Sequence, residues 1–159
     1  MSHLRIVVLL AFASVVATPS AARADLTAFW GATNRDDTRA VRGFAAGINL
    51  VVFGFEFEYA NTSEELASAS PSLSTGMLNG LVQTPTSGVQ FYLTAGGGFY
   101  RERLAGDGET NVGTNIGGGA KIRLAGPLRL RLDYRAFSLR GSPYHGTPQR
   151  FYAGVNLAF

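Results

Sequence analysis

The 159-residue sequence contains no cysteine, so disulfide bonds cannot hold its fold together. Beyond residue 24 it also lacks an uninterrupted apolar run of about 18 residues, the length at which a segment becomes a candidate transmembrane helix. Helix-length amphipathic stretches are missing as well. These absences exclude a small disulfide-held domain and a protein that crosses a membrane with helices.

The first 24 residues differ from the rest of the chain. Arg5 gives a positive start, residues 6–17 form an apolar run, Pro19 follows, and Ala22–Ala24 has the small-x-small pattern of a signal peptidase site. The run is too short for a permanent membrane span. This order predicts a secretory signal peptide over residues 1–24, removed after Ala24, and a single exported domain over residues 25–159.

The charges of the remaining chain are nearly balanced. The whole sequence has 14 basic and 11 acidic side chains, and two of the basic ones, Arg5 and Arg23, belong to the expected leader. Nucleic-acid binding requires a clustered basic face, which a nearly neutral domain with interspersed charges does not indicate. No nucleic-acid partner is therefore expected.

Apolar residues after the leader alternate with polar or small ones, which is the period of a β-strand with one apolar face. The clearest example is LRLRLDYRAF at 128–137, where leucines alternate with ionised residues. The segment at 74–83 has a weaker pattern that also fits a short helical turn, and the strand is favoured. Eight strands are predicted, at 26–33, 42–50, 53–60, 74–83, 89–103, 110–124, 128–140 and 150–159.

The connections between these segments are expected to alternate in length. The first, third, fifth and seventh are polar and longer, whereas the second, fourth and sixth are tight. Long connections at one end and short turns at the other are typical of a membrane barrel with external loops and periplasmic turns.

Alternation alone fits two architectures. A soluble lipocalin-like barrel would turn its charges to water and bind a small apolar ligand, whereas a transmembrane barrel turns its apolar face to lipid. Glycine on the polar face favours the transmembrane barrel, because a narrow lumen needs space for long side chains. Aromatic residues near the strand ends favour it too, since they suit two interfacial girdles.

The end of the chain carries a further signal. Phe151, Val155, Leu157 and the terminal Phe159 lie at alternate positions of the last strand. This strand resembles the C-terminal assembly signal of bacterial outer-membrane barrels. Together with the leader and the strand count, the chain is similar to the small eight-stranded family that includes the outer-membrane protein A membrane domain, outer-membrane protein X and the opacity proteins.

The resemblance implies a fold, a location and partners. It implies an all-β, eight-stranded antiparallel up-and-down transmembrane β-barrel in the cell outer membrane, exported through the periplasm. Its partners would be outer-membrane lipids, lipopolysaccharide and, during biogenesis, the barrel-assembly machinery. A non-catalytic structural or surface-contact role is expected, with the partner of the external loops unknown.

A transmembrane barrel must place its ionised strand residues in the lumen, because an arginine against lipid at mid-depth costs about 2–4 kcal/mol. We therefore predict that charges from several strands meet inside and brace the barrel. The predicted lumen charge network consists of Glu56, Glu58, Lys121, Arg123, Arg129, Arg131, Asp133 and Arg135. It contains more bases than acids, so the excess is expected to reach water, carbonyl groups or a loop acid.

Other functional signals are weak. A charged lumen could also be a narrow pore, although side chains fill the bore of most eight-stranded barrels. A lipid-A-modifying enzyme is the remaining alternative, but His145 is the sole histidine after the leader and no acidic residue follows it. The sequence predicts no catalytic residue, no metal site and no cofactor. Charged residues at the outer rim, including Arg39, Arg42 and Glu64, could contact lipopolysaccharide phosphates.

Overall fold

The computed structural model describes residues 22–34, 38–64, 70–85, 88–105, 107–141 and 146–159. Among these residues there is no helix with the length and apolar character that crossing a bilayer requires. The described residues form eight strands: β1 (Arg23–Asn34), β2 (Thr38–Asn49), β3 (Phe53–Thr62), β4 (Ser72–Gln83), β5 (Val89–Leu104), β6 (Asp107–Ala125), β7 (Leu128–Leu139) and β8 (Gln149–Ala158).

The strands close into one antiparallel barrel. Each strand pairs with its neighbours in sequence, and β1 pairs with β8 from Asp25 opposite Ala158 to Asn34 opposite Gln149. Closure leaves no sheet edge within the wall, so every wall strand has two partners for its backbone groups. The predicted eight-stranded up-and-down barrel is confirmed.

The predicted strands agree with the observed ones to within a few residues, and the ambiguous segment at 74–83 is part of β4. The loop pattern differs. The fifth connection was expected to be long, but β5 and β6 continue for 16 and 19 residues and are joined at 105–106. Ala105 adopts a positive φ of 52° in this turn. The β6 side of this hairpin, residues 107–110, is exposed at every position, so its sequence needs no apolar alternation.

The first connection, at 35–37, is also shorter than expected, because β1 ends at Asn34 and β2 begins at Thr38. At the barrel end that holds the β5–β6 hairpin, the longer connections are 63–71 and 140–148. Residues 35–37, 65–69 and 142–145 lie outside the described residues, as does most of the expected leader, residues 1–21. The last two residues of the expected leader, Arg23 and Ala24, belong to β1. Removal of the leader after Ala24 stays a prediction.

The barrel wall separates an apolar exterior from a polar interior. Leu93 and Trp30 are 71% and 65% exposed on the outside, whereas Arg131 and Arg135 are fully buried inside. Trp30 therefore faces outward. A soluble barrel needs the opposite arrangement, so the lipocalin-like interpretation is wrong for this chain.

Candidate functional site

The inward face of β7 supplies the centre of the lumen. Arg129, Arg131, Asp133 and Arg135 alternate with outward-facing leucines and Tyr134, and all four are buried. Because β7 lies opposite β3 in a ring of eight strands, its side chains point across the bore towards Glu56 and Glu58. The period of two in the sequence thus places complementary charges on opposite walls.

Ion pairs connect these two walls directly. Arg131 binds Glu56 with both terminal nitrogens and lies 3.0 Å from Asp133. Arg135 lies 2.8 Å from Glu56, 2.9 Å from Asp133 and 3.0 Å from Glu58. Each of these arginines therefore holds carboxylates from both walls, which ties β3 to β7 across the barrel axis.

Arg150 on β8 completes the set. Its guanidinium lies 3.2 Å from Glu58 and donates a hydrogen bond to Thr75 at 3.2 Å. The set then has three arginines and three carboxylates. We call these six residues the charged layer: Glu56, Glu58, Arg131, Asp133, Arg135 and Arg150. Their formal charges sum to zero, which reduces the cost of burying them together.

Two tyrosine hydroxyls add hydrogen bonds to carboxylate oxygens that the arginines already bind. The Tyr92 hydroxyl donates a hydrogen bond to Asp133 and accepts one from Arg131 at 2.8 Å. The Tyr152 hydroxyl donates to Glu58 at 3.0 Å. These hydroxyls link the ion pairs into one hydrogen-bonded network that includes β5 and β8.

A second ion pair lies nearer the end that holds the termini. Lys121 on β6 pairs with Asp25 on β1, and Asn49 donates a hydrogen bond to the same carboxylate at 2.7 Å. Neither Asp25 nor Arg150 was among the predicted lumen residues. The alternation of Asp25 with Leu26, and of Arg150 with Phe151, contained the necessary signal, because each follows the inward register of its strand.

The predicted excess of positive charge is found at the rim. Arg129 pairs with none of the described carboxylates and donates instead to Gln90 at 3.2 Å. Arg123, predicted to lie in the lumen, is exposed. Its strand shifts register between Arg123 and Ala125, so Arg123 lies where the lumen opens to solvent. Of these two arginines, Arg123 is exposed to solvent and Arg129 is bound by an amide oxygen.

Apolar side chains close the lumen on the other side of the charged layer, towards the β5–β6 hairpin. The alternation of apolar and polar residues in the sequence did not predict them. We call this cluster the apolar layer: Leu73, Met77, Tyr100, Phe137 and Leu139. Met77 is the register partner of Glu58, so the apolar layer begins at the level of the ion pairs. Arg150 lies over the Phe137 ring at 4.6 Å, which joins the two layers.

A neighbouring apolar cluster contains Phe29, Val41, Ala60 and Tyr152. The Phe29 and Tyr152 rings stack with their centroids 3.9 Å apart. Tyr152 therefore packs against an apolar ring while its hydroxyl binds Glu58. Tyr152 therefore lies at the boundary between the polar and the apolar parts of the lumen.

Glycines on the inner wall make room for these large side chains, as the sequence suggested. A Cβ atom at Gly119 would lie 2.1 Å from the Leu132 carbonyl oxygen and 2.6 Å from the Tyr92 hydroxyl. One at Gly117 would lie 2.1 Å from the Tyr134 carbonyl oxygen and 2.9 Å from Cγ of Arg135. Larger residues at either position would displace the charged layer.

The arrangement has the chemistry of a structural brace. Its carboxylates are bound by arginines or lysine, and among the described residues no group of histidine, cysteine, aspartate and glutamate is suited to hold a metal ion. His145 lies outside the described residues. The predicted assembly residues Phe151, Val155, Leu157 and Phe159 are all exposed on the outer face.

The architecture is similar to that of several solved outer-membrane proteins. Neisserial surface protein A superposes with a TM-score of 0.69 at 17% identity, covering 87% of this chain and 97% of the other. The N-terminal barrel domain of Pseudomonas aeruginosa OprF gives 0.65 at 16% identity over 86% and 97%. Ail of Yersinia pestis, the attachment invasion locus protein, gives 0.55 at 14% identity over 87% and 99%.

The fold is that of the small eight-stranded outer-membrane barrels. No protein-family model matches the sequence, and no curated protein does so either. At these identities the likeness concerns the barrel itself. An apolar exterior of this kind requires lipid around the outer-membrane barrel, in agreement with the predicted outer-membrane location and with an association with membrane lipids.

Proposed function

We propose that this outer-membrane barrel is non-catalytic and that its lumen is a closed plug rather than a channel. The protein then acts through its stability in the membrane and through contacts at its external surface. The observation that supports this most directly is the burial of Arg131, Arg135 and Arg150 in ion pairs across the bore. They are the largest fully buried side chains among the described residues.

Electrical recording tests the closed lumen. The barrel, refolded into a planar bilayer, should show no steady unit conductance, because the charged and apolar layers fill successive levels of the bore. Steady, reproducible unit conductances would instead support a narrow pore. Wild-type protein that has been heat-unfolded before addition serves as the control for leaks caused by added protein.

The absence of catalysis requires its own experiment. Expression of the wild-type protein in a Gram-negative host should leave the lipid A profile unchanged by mass spectrometry. A new deacylated or acylated species that disappears in a His145→Ala variant would establish the lipid-A-modifying alternative and reject the non-catalytic role.

Biogenesis is proposed to follow the outer-membrane route. The leader at 1–24 directs export, and cleavage after Ala24 leaves Asp25 as the first residue. Cleavage at that position would leave every buried side chain of β1 in the mature protein, because Asp25 is the first residue of β1 with a buried side chain. N-terminal sequencing of the protein recovered from outer membranes tests the cleavage site.

The barrel-assembly machinery is proposed to recognise the outward row of Phe151, Val155, Leu157 and Phe159. All four are exposed on one face of β8 or at its end, so they are accessible before the barrel is surrounded by lipid. A Phe159→Ala variant should accumulate less in the outer membrane, measured by fractionation and heat-modifiable migration. The Leu124→Ala variant, at an exposed apolar position of β6, is the matched control.

A further inference from the structure

Charged residues are almost absent from the outer wall, and those present share one sign. Among the outward-facing positions of the eight strands, the charged residues are Arg42, Arg101 and Arg103, and all three are exposed. None of them forms an ion pair with a described residue. All lie towards the β5–β6 hairpin, on the side away from the termini. The outer wall thus carries an exclusively basic belt at that end.

The strand register aligns this belt with other polar groups. Arg42 is opposite Asn61, Asn61 is opposite Ser74, Ser74 is opposite Arg101 and Arg101 is opposite Thr110. Asn61 also donates a hydrogen bond to Ser74 at 2.8 Å. A continuous polar row therefore crosses five strands, with an arginine near each end.

The next row towards the membrane centre is apolar, and three of its five members are aromatic. It runs through Phe44, Tyr59, Gly76, Phe99 and Val112, each the register partner of the next. Gly76 has no side chain, so a groove lies between Tyr59 and Phe99. An added Cβ atom at Gly76 would meet nothing closer than Phe57 at 4.0 Å.

This groove combines an apolar floor with a basic upper end. It has a volume of about 620 Å³ and is lined by Tyr59, Gly76, Phe99, Arg101 and Arg103 among others. A neighbouring groove of about 570 Å³ contains Trp30, Arg42 and Phe44, and the two grooves share Tyr59 and Asn61. Each groove thus offers an apolar surface and at least one arginine.

We propose that the paired grooves bind a phosphorylated glycolipid of the outer leaflet, with acyl chains against the aromatic row and phosphates on Arg42, Arg101 and Arg103. Guanidinium groups bind phosphate oxygens in a bidentate manner, and aromatic side chains at the interface pack against acyl chains. Two adjacent grooves fit a ligand with two phosphates and several chains, such as lipid A. The inference rests on the proposed function, with the end that holds the β5–β6 hairpin taken as the external end of the barrel.

Charge complementarity identifies this occupant. The opposite end of the outer wall has no outward-facing charged strand residue, because the exposed arginines there, Arg23 and Arg123, follow the inward register of their strands. The basic outer surface is therefore confined to the end that holds the β5–β6 hairpin. Asp107 and Glu109 are near Arg103, but they alternate with Gly108 and Thr110 and therefore occupy the other face of the hairpin. The outward surface remains basic beside them.

Native mass spectrometry of the refolded barrel in detergent can measure binding of bisphosphorylated lipid A. An Arg101→Gln, Arg103→Gln double variant should bind about tenfold more weakly or worse, because two charge-assisted contacts are lost. A Gly76→Val variant, which fills the groove, should weaken binding as well. Arg123→Gln removes an exposed charge at the other rim, and Gly80→Val fills an outward glycine position away from the groove. Both should bind as the wild type does.

The ligand controls separate the sources of affinity. Dephosphorylated lipid A and phosphatidylglycerol should each bind more weakly than bisphosphorylated lipid A, and inorganic phosphate should not compete at millimolar concentration. Equal binding by phosphatidylglycerol, or equal binding by the double variant, would overturn the proposed site. Heat-modifiable migration of each variant shows that the barrel itself has formed, so loss of the site is distinguishable from failure of the outer-membrane assignment.

Discussion

The charged layer and the apolar layer occupy successive levels of one lumen, but they exclude water by different means. In the charged layer, three arginines and three carboxylates bind one another across the bore. In the apolar layer, Leu73, Met77 and Phe137 fill the same width by packing alone. Burial of ions is favourable only when every charge is paired, whereas burial of apolar groups needs only complementary shape.

This contrast implies that single changes have unequal consequences in the two layers. Removing one member of an ion-pair network leaves other charges buried without compensation. Removing an apolar side chain leaves a cavity but no unpaired charge. The charged layer should therefore be the more sensitive of the two to substitutions that conserve volume.

The largest effect is expected when both carboxylates of β3 are neutralised. A Glu56→Gln, Glu58→Gln variant removes the acidic partners of Arg131, Arg135 and Arg150 on one wall. We expect the free energy of unfolding in urea to fall by about 5 kcal/mol. Glu109→Gln, at an exposed rim position, should change it by less than about 0.5 kcal/mol. An unchanged unfolding midpoint in the double variant would contradict the brace.

A smaller effect is expected in the apolar layer. Met77→Ala opens a cavity beside Leu73 and Phe137, and the free energy of unfolding should fall by about 2–4 kcal/mol. Leu78→Ala is the matched control, because Leu78 is the next residue of β4 and faces outward, where lipid fills the vacated space. Equal losses for the two variants would show that the interior is not packed at Met77.

The smallest effect is expected at the rim of the lumen. Arg129→Gln removes a charge that is bound to Gln90 and pairs with none of the described carboxylates. The free energy of unfolding should therefore change by no more than about 1 kcal/mol. A parallel Arg131→Gln variant should be several times more destabilising. Comparable losses would mean that pairing with carboxylates does not determine the stability of a lumen arginine.

The sequence predicted the charged layer better than the apolar layer because the two depend on different patterns. Along β7, each inward residue from Arg129 to Arg135 is ionised and each outward one is apolar or aromatic, so the direction of the side chains is unambiguous. Along β4, Leu73, Met77 and Leu81 point inward while Leu78 and Val82 point outward. Alternation cannot reveal a face when both faces are apolar.

The charges missed or misplaced lie near the strand ends. Asp25 begins the proposed mature chain and Arg150 follows Gln149, so within the expected domain each is marked by apolar alternation on its C-terminal side alone. Arg123 has the inward register but lies beyond the enclosed part of the lumen. The two-residue alternation along a strand indicates which face of the wall a side chain occupies. The depth at which the lumen ends depends instead on the tilt and stagger of the strands.

The central claim is that the apolar face of the wall contacts lipid and the ionised face contacts the lumen. A single-cysteine variant, Leu93→Cys, tests it cleanly, because the chain has no other cysteine and Leu93 is 71% exposed on the outer wall. A nitroxide attached there, in barrels refolded into liposomes, can be tested for collision with oxygen and with a water-soluble nickel complex. If Leu93 faces acyl chains, accessibility to oxygen should be high and accessibility to nickel almost absent. High accessibility to nickel with little to oxygen would contradict it.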